Sequence, residues 1–312
     1  MTLTNAVNLY IGARQAAGER FHSPAVVLRS FSHQAGNKSL NIITPEEIVG
    51  FLSGPRTGHG TWQKKYGTLR VFFEYWRQRQ KLSVVPMPPS LPKYTSPFMP
   101  YIYSKEELRS LLKVIPQCQQ RRWCQMSDAT FRMLLLLLYG TGMRIGEALR
   151  LCLIDVDLDN DIIQIRGTKF YKSRLVPLGR DVRQLLRSYL ALPKKDNRGD
   201  RPVFQSKAGH AISRSAVEIS FRRLCRLGAV HRDGGSVYQP RIHDLRHTFA
   251  VHRLTEWYRH GANVQILLPA LSTYLGHVGL HSTQRYLTMT PELLKEANQR
   301  FELYVSGGRD EQ

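Results

Sequence analysis

Between Val84 and Pro100 the chain runs Val-Val-Pro-Met-Pro-Pro-Ser-Leu-Pro-Lys-Tyr-Thr-Ser-Pro-Phe-Met-Pro. Proline has no amide hydrogen to give to a helix or a sheet ladder, and it pushes the residue before it out of the helical region. A stretch this dense in proline can be neither a helix nor a central strand, so the chain must fold in pieces on either side of it. Of its 312 residues, 1–84 and 104–305 are each long enough to bury a core. The pattern predicts two domains, a semi-rigid extended linker over 85–103 and a short polar tail over 306–312.

The first piece repeats apolar residues at helical spacing. Leu3, Val7, Tyr10 and Ile11 mark one helix, residues 24–34 a second, and Thr44-Pro45-Glu46-Glu47 an N-cap with proline and acids in the first turn of a third. A fourth, over 61–79, places Tyr66, Leu69, Phe72, Phe73 and Trp76 on one stripe and Lys64, Lys65, Arg70, Arg77 and Arg79 around the rest. Lysine and arginine outnumber acids 45 to 24, a formal charge of +21, with a pI near 10.2. That excess exceeds what solubility requires and points to a polyanion. Lys64, Lys65 and Arg70 are candidates for DNA phosphates, although a solvated basic face fits any one of them equally well.

In the second piece Ser104-Lys105-Glu106-Glu107 caps a helix, and the apolar run around Met133 to Tyr139 predicts a buried one. That run is much shorter than the roughly 20 residues that cross a bilayer. Gly140-Thr141-Gly142 is expected to interrupt it, with helical spacing resuming over Arg144 to Leu151. Ile162 to Arg166 and Arg174 to Leu178 predict strands of a three-stranded antiparallel sheet, and the remainder to about Tyr304 is helical. The expected fold is mainly α with a small antiparallel β-sheet, an α+β chain of two domains. Met1 to Asn5 has neither the basic nor the long apolar region of a signal peptide, which predicts a cytoplasmic protein. The four cysteines form no C-x-x-C pair and are expected to be reduced, mostly structural thiols. His243/His247 and His277/His281 have H-x-x-x-H spacing but lack the glutamate of a zinc-protease motif, so no metal is expected.

Four polar clusters lie where a helix core does not need them. Gly140 to Leu149 puts a glycine-loosened turn beside Arg144, where free amides and a guanidinium could hold a phosphate, and Glu147 is spaced to orient Arg144 or to make an ordinary surface ion pair. Gly167 to Leu178 is a basic hairpin, either a solvated turn or one whose Lys169 can reach a groove and protonate a leaving oxygen while Lys172 and Arg174 contact DNA. Arg241 to Ala250 sets His243 and Arg246 three apart, able to grip one phosphate, with Arg241 ahead of them as a further DNA contact. Tyr274-Leu275-Gly276-His277 is followed by Tyr286.

In that order, behind a basic helical domain and a proline linker, these clusters resemble the tyrosine recombinase, or phage integrase, family over nearly the whole chain. The resemblance implies an N-terminal core-binding (SAM-like) domain and a C-terminal catalytic domain closing as a C-shaped clamp on DNA. Its T-G-x-R-x-x-E-x-L pattern is matched by Arg144 with Glu147 in support, and its hairpin lysine by Lys169. H-x-L-R-H-T-F is matched by His243, Arg246 and His247, L-G-H by His277 and the nucleophile by Tyr286. The implied reaction is cleavage and rejoining of DNA at a specific core site through a 3′-phosphotyrosyl bond, without cofactor, by a homotetramer on two duplexes joined through its C-terminal helix. A non-cleaving DNA-binding accessory protein and a type IB topoisomerase are the competing readings. The stretch from Arg246 to His277 exceeds the family's usual length, which implies a lengthened helix or loop behind the site.

Overall fold

The computed structural model describes all residues except 20, 55–58, 89–98, 168–172, 193–199, 234–238, 278, 289–290 and 308–312. Lys169 and Lys172, most of the proline-rich stretch and most of the polar tail lie outside the described residues. Two compact units, Met1–Pro97 and Phe98–Gln312, make up the chain.

The first unit is α1 (Leu3–Ala16), α2 (His22–Ala35), a 3-10 turn at Leu40–Ile42, α3 (Pro45–Leu52) and α4 (His59–Gln78). Thr44 and Glu47 close a capping box at the start of α3, as residue types at that spacing do. Tyr10, Leu28, Phe31, Ile48, Phe51, Leu69, Phe72 and Phe73 form the buried centre, each burial worth about 1.5–3 kcal/mol. On α4 the cations Lys64 and Arg70 are exposed. Lys65 is half-buried, its ammonium over the Phe51 ring and its Nζ donating to the Phe51 carbonyl at 2.9 Å, so it ties α4 to α3.

The second unit opens with α5 (Lys105–Lys113), capped by Ser104, then α6 (Ile115–Gln119), α7 (Asp128–Thr141) and α8 (Ile145–Ala148). A 3-10 turn at Leu153–Asp155 leads into β1 (Val156–Asp157), β2 (Ile162–Ile165) and β3 (Arg174–Pro177), an antiparallel sheet in that order with Ile163 opposite both Val156 and Val176. There follow α9 (Arg180–Leu190), α10 (Arg214–Leu227), α11 (Asp244–Arg259), α12 (Val264–Leu275), α13 (His281–Gln284), a 3-10 turn at Arg285–Thr288 and α14 (Pro291–Gly307). The fold is mainly helical with one small sheet. Leucines of α7 are buried against neighbouring elements, and no helix among the described residues is long and apolar enough to cross a membrane.

Two local expectations change. Gly140 and Thr141 do not interrupt α7, which runs through them, Gly140 packing so close to Val182 of α9 that a Cβ there would lie 2.5 Å from its methyl. The helix expected from Arg144 to Leu151 is a single turn, and Arg144 stands before it with extended backbone (φ −73°, ψ 143°). The break falls at Gly142, a left-handed C-cap at φ +60°. A Cβ at Gly142 would sit 2.4 Å from Cδ1 of Phe249. Gly142→Ala is therefore expected to cost about 2 kcal/mol or more, from backbone strain and displacement of Phe249. Urea denaturation checks this, and an unchanged midpoint would contradict it.

Candidate active site

The C-terminus of α12 organises the site. Gly276, at φ +68°, ends the helix and leaves its last carbonyls without helical partners. Those oxygens carry the negative end of the helix dipole, and cations gather there. Arg174 Nε donates to the Tyr274 carbonyl at 3.0 Å, Arg246 Nη2 to that of Leu275 at 2.7 Å, and Arg144 Nη2 to that of Gly276 at 3.0 Å. Arg246 Nη1 also donates to the Gly142 carbonyl at 2.8 Å, so the α7 break and the α12 end hold one guanidinium between them.

Glu147 is the counter-charge. Only 4% exposed, it accepts from Arg174 at 3.0 and 2.8 Å and from Arg144 Nη1 at 2.9 Å, and it caps the Arg144 backbone amide at 2.9 Å. Burial pushes its carboxyl up, but the hydrogen bonds from Arg174 and Arg144 more than reverse this and hold it at about 2. Its pairing is buried rather than a surface ion pair, and the Arg144 amide is taken rather than free for phosphate. Three guanidiniums face this one carboxylate, so the cluster keeps an excess of two positive charges, as a phosphate requires. Burial and the neighbouring Arg144 lower Arg246 to about 10, which leaves it charged at neutral pH.

The charge and hairpin position of Arg174 predict a DNA contact. Its side chain is instead 13% exposed and holds Glu147 through a two-pronged ion pair. The strand's own alternation carried that signal, since Arg174 lies two residues before fully buried Val176 and on the same face, with exposed Leu175 opposite. Arg241 pairs with buried Asp244 while its side chain stays 48% exposed, so it is both anchored and reachable.

His243 precedes the first residue of α11, and His247 lies one turn on, the rings 5.2 Å apart. His247 Nδ1 lies 3.1 Å from Oη of Tyr286. The imidazole within hydrogen-bond reach of the phenol is thus that of His247. The His277 ring stacks near that of Tyr286, centroids 6.2 Å apart, and its Nδ1 is fixed 2.7 Å from the Thr283 hydroxyl. Thr283, fully buried on α13, had given no sign in the sequence beyond its place between His277 and Tyr286. Tyr286 itself, on the 3-10 turn after α13, is 2% exposed among Phe249, Leu271 and Leu293. Burial raises its phenol against the opposing pull of Arg246 and Arg285, so it stays protonated in this conformation.

Burial depresses all three imidazoles, His243 to about 4, His247 to about 3 and His277 to about 4, with positive neighbours adding to the effect. Folded values below the unfolded 6.5 mean that the unfolded chain takes up protons first. The stability they contribute is present above pH 6.5 and is lost as pH falls toward 4 and 3. The melting temperature is therefore expected to drop between pH 7 and pH 4.5, and a flat profile over that range would contradict neutral, buried imidazoles.

The Phage integrase family model matches residues 103–292. The integrase/recombinase y4rB of Sinorhizobium fredii is 35% identical over 96% of this chain and 97% of its own length. The tyrosine recombinase XerA of Thermococcus kodakarensis is 32% identical over 75% of this chain and 72% of its own. Among solved structures, the Tn1549 transposon integrase in complex with circular intermediate DNA superposes with a TM-score of 0.69 over 96% of this chain and 99% of that one, at 18% identity, a likeness of fold.

Proposed function

The chain belongs to the phage integrase family, and we propose on that footing that it is a site-specific DNA recombinase in which Tyr286 is the nucleophile. The observation that carries this reading is the Tyr286 phenol on His247 beside three arginines gathered at one helix end. The phenol oxygen attacks the scissile phosphorus, the bond to the 5′-oxygen breaks, and a 3′-phosphotyrosyl bond remains. His247, the imidazole in hydrogen-bond reach, takes the phenol proton once the negative charge of the bound phosphate raises its proton affinity and the arginines favour the phenolate. Arg144 and Arg246 neutralise the charge that gathers on the non-bridging oxygens, and His243 and His277 donate hydrogen bonds to it, each such donor being worth about 3 kcal/mol in a preorganised site. Lys169 protonates the departing 5′-oxygen.

A 5′-hydroxyl of another strand reverses these steps. Because the phosphotyrosine keeps the energy of the broken bond, resealing needs no external energy source. Arg241, Lys64 and Arg70 contact the backbone of the core site and set its position rather than its sequence. Copies assemble as a tetramer through α14. Its first turns are anchored to their own unit by buried Leu293 and by the Arg259–Glu296 ion pair, while Leu294 and Phe301, 47% and 65% exposed, face outward for a neighbour. The protein acts where DNA is, at the nucleoid.

The test is a plasmid carrying two copies of the DNA that flanks the gene, incubated with the protein. Exchange between the copies, absent from a plasmid without them, is the expected result. Relaxation of either plasmid without exchange would make it a topoisomerase, and binding without cleavage an accessory protein.

A further inference from the structure

Away from the proposed active site, two thiols converge on one guanidinium. Cys118, on α6, and Cys124, in the turn before α7, are 0% and 4% exposed. Arg223 of α10 donates from Nε to the Cys118 sulfur at 3.3 Å and from Nη2 to the Cys124 sulfur at 2.8 Å. Nε and Nη2 are neighbouring donors of one planar fork, so the fork brings the two sulfurs together. Each thiol also finds an acceptor, Cys118 Sγ the Ser220 carbonyl and Cys124 Sγ the Cys118 carbonyl, both at 3.5 Å. The sulfurs thus accept from a cation and donate to carbonyls, an arrangement that a pair of apolar core cysteines does not need. Burial raises the Cys118 thiol while the Arg223 hydrogen bond pulls it down; among the described residues Cys152 and Cys225 have no guanidinium donor on their sulfurs, and burial pushes the Cys225 thiol up to about 12. A cavity of about 450 Å³, lined by Gln117, Gln120, Arg121, Arg223, Arg226 and Leu227, brings solvent to the Arg223 side chain.

We propose that Cys118 and Cys124 are a reversible dithiol/disulfide pair, oxidised by hydroperoxides, with Arg223 as its positioning cation. Cys124, the slightly more exposed residue of the two, reacts as thiolate with the peroxide, whose O–O bond breaks to leave a sulfenic acid and hydroxide. The Cys118 sulfur then attacks the sulfenic sulfur, the S–S bond forms, the S–O bond breaks and the oxygen leaves as hydroxide. The two thiol protons convert both hydroxides to water, so two thiols lose two electrons and one hydrogen peroxide becomes two waters. Arg223 holds negative charge on sulfur during both steps, and a thiol reductant reverses the change.

The test uses the full chain with hydrogen peroxide, followed by counting of free thiols and non-reducing peptide mapping. Expected are a fall from four free thiols to two and a single cross-linked peptide joining residues 118 and 124, restored by dithiothreitol. Cys118→Ser is expected to abolish the cross-link and leave Cys124 trapped as a sulfenic acid, while Cys152→Ser leaves the pair intact. Arg223→Gln, which keeps hydrogen-bonding capacity without charge, is expected to slow cross-linking severalfold at neutral pH. The wild-type map decides whether or not that variant folds. A cross-link through Cys152 or Cys225, or four thiols surviving a peroxide dose that oxidises exposed methionine, would overturn the proposal.

Discussion

Tyr286→Phe is expected to bind DNA as tightly as the wild type and to lose strand cleavage by a factor on the order of 10,000 to 1,000,000, the range seen when a covalent nucleophile is removed. The change deletes one oxygen. The ring stays where it is, 2% exposed among Phe249, Leu271 and Leu293, so the core is preserved. The hydrogen bonds of the phenol oxygen to His247 and Arg246 are lost, an effect of about 1–3 kcal/mol on stability. DNA affinity comes from the basic surface and is read at fixed salt, because phosphate contacts weaken as salt rises. Single-turnover cleavage and a mobility-shift titration, run on the same preparation, separate the two quantities. Cleavage by the variant at a rate comparable with wild type would place the nucleophile elsewhere.

The second large effect is expected at Glu147, which never touches DNA in this reading. Glu147→Ala removes the one carboxylate between Arg144 and Arg174 and leaves a 13% exposed guanidinium without its ion-pair partner. Breaking such a pair from one side costs about 3–5 kcal/mol, because the remaining charge stays desolvated. For a unit of this size each kcal/mol lowers the melting temperature by about 2–4 °C, so the drop is easily read in a thermal melt. Glu147→Gln keeps the shape and an acceptor and is expected to lose less. With both variants, cleavage falls further than stability explains at temperatures where the protein is folded, since Arg144 is no longer held toward the phosphate. A melt unchanged in Glu147→Ala would show that the buried network is not what fixes these arginines.

Helices and sheet were legible because their signals are local. Thr44 and Ser104 announce capping boxes, the Leu-rich run a buried helix, and Ile162 and Val176 a pair of facing strands. The end of α7 was misplaced because a glycine inside a helix and a glycine ending one look alike along the chain. Gly140 serves close packing against Val182, whereas Gly142 takes the left-handed turn, and only the third dimension separates them. At the site, the sequence supplied residue types and their order but not their partners. That three arginines share the end of α12, that Thr283 fixes His277 and that His247 reaches the phenol all depend on contacts between residues 6 to 132 positions apart. Arg174 is the instructive case, because its strand register pointed inward while its charge suggested outward.

The proposed reaction depends on one bond, between the Tyr286 oxygen and a DNA phosphorus. The direct measurement is to incubate the wild-type protein with flanking DNA carrying a bridging phosphorothiolate, which blocks resealing, and to map the nucleotide-bearing peptide by mass spectrometry. The expected result is an SDS-resistant adduct whose DNA remnant sits on Tyr286, absent from Tyr286→Phe. An adduct on any other residue, or none on DNA that the protein demonstrably binds and recombines, would contradict it.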